Sequence, residues 1–128
     1  MLERIKAYET TSEDIKCLKR NGLLELPWMC DEPDWLYIFK INDCVCAALN
    51  MTADPYEKEI IWIDEFEVVR SYRKQKIGNT IIKELLKSVD VEIKLLAKNK
   101  MVSEFWYKCG FQYDWDSWDE IQMSFHKK

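Results

Sequence analysis

Glycine is scarce, with three in 128 residues, well below the roughly 7% of average usage, so each that survives is expected to have a backbone reason. Proline is as rare, also at three. The one histidine, His126, stands close to the C-terminus. No His and Cys residues recur at ligand spacing, so no metal site is expected, and Cys44 and Cys46 read as buried small apolar residues. No apolar run approaches the roughly 20 residues of a membrane span. The start, Met-Leu-Glu-Arg, leads into nothing resembling a signal peptide. Five cysteines, an odd number irregularly spaced, do not make a disulfide framework. A Gly-rich ATP loop, a dinucleotide fingerprint and HExxH are missing, as are repeats, low-complexity segments and linkers. With 48% hydrophobic and 33% charged residues, these absences exclude disordered and membrane-spanning chains. What is left is a soluble single domain over residues 1–128, expected in the reducing cytoplasm as a monomer or homodimer.

Charge is unevenly placed. The net value is −4, but residues 70–100 hold nine Lys or Arg against three acids, leaving −10 for the remainder. A compact basic island in an acidic chain argues against broad nucleic-acid binding and suits one small polyanion, such as a nucleotide cofactor. The plainer alternative is solvated helix and loop surface.

Glu3 to Tyr8 reads as a strand, and Thr11-Ser12-Glu13-Asp14 as a capping box opening a helix that ends at Gly22. Pro27 and Pro33 break the stretch from Asn21 to Asp34, which reads as loop with one short helical turn and leaves a substrate lid open. Trp35 to Ile41 and Cys44 to Thr52, joined at Asn42-Asp43, form a hairpin apolar on nearly every position, hence internal to a sheet. Glu59 to Val69 is a further strand that carries Asp64, Glu65 and Glu67. Ile77, Ile81, Ile82, Leu85, Leu86 and Val89 recur at helical spacing. Val91 to Ala97 is a strand, Met101 to Lys108 a helix stopped by Gly110, and Phe111 to Trp115 with Ile121 to His126 a closing pair of strands. The class is mixed α/β (α+β), antiparallel in its first half.

The stretch Phe66-Glu67-Val68-Val69-Arg70-Ser71-Tyr72-Arg73-Lys74-Gln75-Lys76-Ile77-Gly78 resembles the acetyl-CoA signature of the GNAT N-acetyltransferases, L-x-V-x-P-x-x-[RQ]-x-x-G-x-[GA]. Phe66, Val68, Arg73 and Gly78 match, while Arg70 replaces the Pro and Lys76 the first Gly. Downstream, Asn99 to Phe111 is similar to the family's N-x-x-A-x-x-F-Y-x-K-x-G-F, with Asn99, Phe105, Lys108, Gly110 and Phe111 matching. The resemblance implies a mostly antiparallel sheet of about six to seven strands flanked by three to four helices. It also implies an acetyl-CoA site made of Phe66, Val68, Arg73, Lys74, Gln75, Lys76, Ile77, Gly78 and Asn79, joined by Asn99, Phe105 and Lys108.

The physics agrees without the family's name. A strand that turns into a helix presents the free N–H groups of the first helical turn, where the macrodipole favours an anion such as a diphosphate. Gly78 would let the chain approach it, or else serve only as a tight turn. The resemblance further implies direct attack by an amine in a ternary complex. Glu65 and Asp64, ahead of Glu67, are the candidate bases, with exposed or salt-bridged carboxylates as the alternative. Strict alternation sends Asp64 to the face of Phe66 and Val68, and Glu65 and Glu67 to the other. Trp106 stands where the family has the Tyr that protonates the departing thiolate. Tyr107, about 100° further round the helix, is the candidate substitute. The acidic remainder suggests a cationic amine acceptor. The runner-up function is a non-catalytic CoA-sensing module that binds a protein partner.

Overall fold

The apolar run from Trp35 onward folds back on itself at Asn42 and Asp43, whose φ values of 50° and 67° give the left-handed pair that a two-residue hairpin needs. In this computed structural model, which describes residues 4–29, 33–116 and 120–126, that hairpin is β2 (Trp35–Ile41) and β3 (Cys44–Ala53). Before it come β1 (Ile5–Glu9) and α1 (Ser12–Arg20); after it β4 (Ile60–Val68), a 3-10 turn at Arg70–Tyr72, α2 (Ile77–Ser88), β5 (Glu92–Ala97), α3 (Lys100–Cys109), β6 (Gln112–Asp116) and β7 (Ile121–Phe125). The strands form one seven-stranded sheet in the order β1-β2-β3-β4-β5-β7-β6. Only β4 and β5 pair in parallel; the other neighbours are antiparallel. The mixed α/β class is therefore as expected, with seven strands and three α-helices among the described residues.

Caps mark the helix ends. Thr11 accepts the Asp14 N–H at 3.2 Å, and the Asp14 carboxylate in turn accepts the Thr10 hydroxyl at 2.9 Å, so the capping box closes on a neighbouring threonine. Gly110 ends α3 at φ 115° and donates its N–H to the last turn. The expected helical turn between Asn21 and Asp34 is not formed by the described residues there, and residues 30–32 lie outside the description.

Two layers cover the sheet. Ala48 packs with Ile15, Leu24, Leu36 and Val69 under α1 and the loop after it. Its neighbour Leu49 faces the other way, into a larger core with Ile82, Leu86, Ile93, Trp106, Phe111 and Met123 under α2 and α3. Each fully buried side chain of this size contributes about 1.5–3 kcal/mol over leaving it exposed.

Two irregularities in β4 matter most. Its pairing with β5 runs from Ile60–Glu92 to Ile63–Leu95 and stops, although β4 continues to Val68 and β5 to Ala97. The sheet therefore parts beyond Ile63. Opposite β3, Asn50 pairs with Glu65 but Met51 with Ile63, which leaves Asp64 as the extra residue of a β-bulge at the point of parting.

Candidate functional site

The N-terminus of α2, the end of β4 and one side of α3 enclose a cleft of about 800 Å³. Phe66 and Val68 form its strand wall, while Tyr72, Arg73, Lys74 and Lys76 come from the connecting turn. Ile77, Gly78, Asn79 and Lys83 come from α2, and Met101, Val102, Phe105 and Lys108 from α3. Five of these residues are cations and none is a carboxylate. No side chain caps the start of α2, so the unpaired N–H groups of its first turn and the positive end of its dipole add to the same field. The arrangement has the charge and the apolar walls to suit an elongated anion with apolar parts.

The turn before α2, where Lys76 stands in place of the first Gly of the pattern, has a backbone cost. Lys74 and Lys76 are left-handed, at φ 65° and 62°, a conformation that disfavours L side chains by roughly 1–2 kcal/mol. Part of that is offset because glycine loses more chain entropy on folding. Lys76→Gly is expected to raise the unfolding free energy by up to about 1 kcal/mol, read by urea denaturation; a loss of stability would mean that the lysine side chain holds the turn.

Gly78 lines the cleft and is at the same time a close-packing residue of α2 rather than a turn. It is buried within α2, and a Cβ there would meet the Val68 side chain at 3.1 Å and the Phe105 ring at 3.3 Å. Asn99 and Gln75, expected at the site, do not line it. Asn99 caps α3, accepting the Val102 N–H at 2.9 Å, and the Gln75 amide donates to the Ser71 carbonyl at 3.1 Å. Four lining residues escaped the sequence reading: Tyr72, Lys83, Met101 and Val102. Lys83 had a signal, since it lies one helical turn beyond Asn79. Arg73 lines the cleft while its guanidinium also donates to the Val68 carbonyl at 2.8 Å and pairs with Glu25 at 3.1 Å and Glu67 at 3.4 Å.

The three carboxylates of β4 separate by role. Glu67 is 4% exposed and accepts from the Glu25 N–H at 2.7 Å, the Leu26 N–H at 3.1 Å and the Trp28 indole at 2.9 Å. Glu65 accepts from the Met29 N–H at 2.5 Å and the Asn50 amide at 2.7 Å. Both therefore tie residues 25–29 to the sheet, so that segment is anchored rather than a free lid. Asp64 is exposed and, among the described residues, accepts only the Thr52 hydroxyl, at 2.8 Å. Thr52 and Asn50 are two apart on β3 and share a face, so Asp64 lies on the side of Glu65. That corrects strict alternation, and the bulge is the cause. Partial desolvation raises the Asp64 carboxyl above its ordinary range against the Thr52 bond, and the charges of Glu65 and Asp34 push the same way.

Tyr107 turns away from the expected role of substitute acid, and Trp106 is a core aromatic. Trp106 is 7% exposed, with ring centroids 5.9, 5.0 and 5.4 Å from Phe66, Phe105 and Phe111. Tyr107, at 55% exposure, stacks on Tyr113 at 5.6 Å outside the cleft. Helix geometry explains this: with Trp106 turned into the core, the next residue is thrown outward. Cys44 is exposed, contrary to the buried reading, whereas Cys46 is buried. Cys109 sits beneath the cleft wall, accepting from the Asn79 amide at 3.5 Å. Burial pushes the Cys46 and Cys109 thiols up to about 11. His126 pairs with Glu92 at 3.1 Å on the surface. Among the described residues, no group of three or more His, Cys, Asp or Glu could hold a metal ion, and no helix is long and apolar enough to cross a membrane.

Comparison with known proteins places this geometry. The sequence profile described as "Acetyltransferase (GNAT) family" matches residues 3–111. No curated protein matches the chain. Among solved structures, the chain is similar to an acetyltransferase from Thermus thermophilus, with TM-score 0.76, 13% identity and coverage of 94% of this chain and 96% of that one. It is also similar to Arabidopsis thaliana Naa50 in complex with a CoA bisubstrate analogue, at TM-score 0.73, 17% identity and coverage of 97% and 99%. A third is the spermidine N-acetyltransferase SpeG of Vibrio cholerae, in an F149G mutant, at TM-score 0.73, 10% identity and coverage of 96% and 94%. At such identities these likenesses speak for the fold.

Proposed function

The chain belongs to the Acetyltransferase (GNAT) family, and from that premise we propose that residues 1–128 act as one domain that transfers the acetyl group of acetyl-CoA to a primary amine by direct attack in a ternary complex. The observation that carries this reading is the cleft itself, lined by five cations and no carboxylate at an uncapped helix N-terminus, beside the parting of β4 and β5. The α2 N–H groups with Arg73, Lys74 and Lys76 suit the diphosphate. Phe66, Val68, Ile77 and Phe105 suit the apolar arm. Naa50 with its CoA bisubstrate analogue and the spermidine N-acetyltransferase support the same pairing of CoA with an amine acceptor.

When bound, acetyl-CoA supplies a thioester open to attack by a neutral amine and a thiolate that leaves. This chain's own part is to position and to move a proton. Phe66, on the cleft wall, brings β4 past the parting of the sheet, and Asp64 sits two residues earlier at that opening. In the reaction the amine nitrogen–carbon bond forms, the carbon–sulfur bond breaks, and the amine proton passes to Asp64, directly or through water. Glu65 stays in place as the loop's anchor.

Acetyl-CoA is expected to raise the melting temperature, because a ligand that binds only the native state adds about RT ln(1 + [L]/Kd), roughly 2.7 kcal/mol at a hundredfold excess over Kd. No shift at saturation, with no heat of binding in calorimetry, sinks the assignment. A second reading, a CoA-sensing module without turnover, is favoured by one observation: neither Trp106 nor Tyr107 offers a phenol to the cleft. CoA release in a broad amine screen separates the two.

A further inference from the structure

A second cavity, of about 520 Å³, lies between α2 and the β1 end of the sheet and shares no lining residue with the cationic cleft. Strand alternation makes it. Leu36 and Ile38 pack under α1, which turns Trp35, Tyr37 and Phe39 of β2 to the α2 side, where their half-buried rings form one wall. Leu49, Met51 and Ile81 of the lining are 1%, 4% and 3% exposed, so a slender molecule reaches them better than the broad surface of a second copy does. Ile5 and Ala7 of the edge strand β1 border the far side. The volume falls in the range of roughly 300–1,000 Å³ typical of small-molecule sites. Its charge has one sign. Among the described residues of the lining, Glu84 alone is charged. The lysines of β1 and β2 are on the opposite face, Lys6 paired with Lys40 and the Lys40 ammonium 5.2 Å over the Tyr8 ring, while Glu9 shares the face of Ile5 and Ala7. Lys87 pairs with Glu84 at 3.3 Å, but both side chains reach solvent, and a surface pair of this kind is worth little and gives way to another cation.

We propose that this cavity is a binding site for an organic ammonium ion with an apolar body, the body lying against the β2 rings and Leu85 and the charged head meeting Glu84. The site is separate from the acetyl-transfer reading and stands without it. Burying the apolar walls supplies most of the affinity, and the carboxylate with the faces of the neighbouring rings selects the sign of the head. A carboxylate or phosphate head would meet Glu84 and no cation of the lining.

The test uses the full chain and three probes with one apolar body: trimethyl(phenylbutyl)ammonium, phenylbutanol and phenylpentanoate. The quaternary nitrogen has no N–H and cannot be acetylated, so its binding is read apart from any turnover. In calorimetry the ammonium ion is expected to bind about fivefold tighter than the alcohol and at least about tenfold tighter than the carboxylate. Glu84→Gln should remove the advantage over the alcohol and leave the alcohol's own affinity unchanged. Ala7→Trp fills the cavity from the exposed edge strand and should weaken all three probes by at least about tenfold; Ser88→Trp does the same from α2 should the first variant fail to fold. Saturating acetyl-CoA should leave the ammonium ion bound. Absence of saturable binding, a carboxylate that binds as tightly as the ammonium ion, an undiminished preference in Glu84→Gln, full binding in the filled variants, or displacement by acetyl-CoA overturns the proposal. So does a dimer in sedimentation that Ala7→Trp dissociates, because a second copy is then the occupant.

Discussion

Glu67→Ala is expected to lower the unfolding free energy by about 2–4 kcal/mol, the largest loss of any single carboxylate here. Its side chain is nearly fully buried and accepts two backbone N–H groups, the Trp28 indole and the Arg73 guanidinium. Hydrogen bonds to a charged acceptor are worth about 1.5–3 kcal/mol each when removed singly, but residues 25–29 lie at the surface and recover part of that by hydration. Glu25 offers the comparison. It pairs with Arg70 and Arg73, and its carboxyl is held below the ordinary range mainly by the Arg70 hydrogen bond; yet it is open to solvent, where ion pairs contribute little. Urea denaturation of Glu67→Ala and Glu25→Gln reads the difference, and limited proteolysis should find new cleavage within 25–29 only in the first. Equal, small losses would show that Glu67 is not what anchors the segment.

How far the sequence carried the fold depended on the range of the interactions involved. Helices and strands came out within a residue or two because their signals are local: the period of Ile77, Ile81, Ile82 and Leu86, the Thr11 cap, the Asn42-Asp43 turn, the left-handed Gly110. The parting of β4 from β5 and the bulge at Asp64 are properties of three strands together. No window of one strand contains them, and strict alternation therefore put Asp64 on the wrong face.

The site divides in the same way. A contiguous motif delivered Arg73 through Asn79 almost entire, because a helix start and its preceding turn form one local unit. Asn99, which looks motif-like but serves the backbone as a cap, reads as a binding residue since its spacing is identical in either role, while Gly78 holds both a place in the cleft lining and a close-packing position. Tyr72, Met101 and Val102 reach the cleft only through packing. Trp106 and Tyr107 show the converse: the sequence left open which of them faces the cleft, and it took the packing of Phe66, Phe105 and Phe111 around the indole to fix the helix register.

That register leaves the proton path to β4. On the acetyl-transfer reading, Asp64→Asn is expected to lower kcat by about 10²–10⁴, the usual worth of a general base, with acetyl-CoA affinity retained because Asp64 lies outside the cationic cleft. The substitution keeps the shape and the Thr52 contact, so stability should change little. Glu65→Gln is expected to act differently. Both Glu65 oxygens already accept hydrogen bonds, from Asn50 and from Met29, so its loss loosens the segment and shows mainly in KM. The pH profile adds a sign. A base works ionised, and desolvation together with Glu65 and Asp34 raises the Asp64 carboxyl, so the acid limb of kcat/KM should lie above the ordinary aspartate range and vanish in Asp64→Asn. If kcat falls instead in Glu65→Gln while Asp64→Asn keeps its acid limb, the roles of the two carboxylates are reversed, and the exposed position at the bulge serves only to attract the amine.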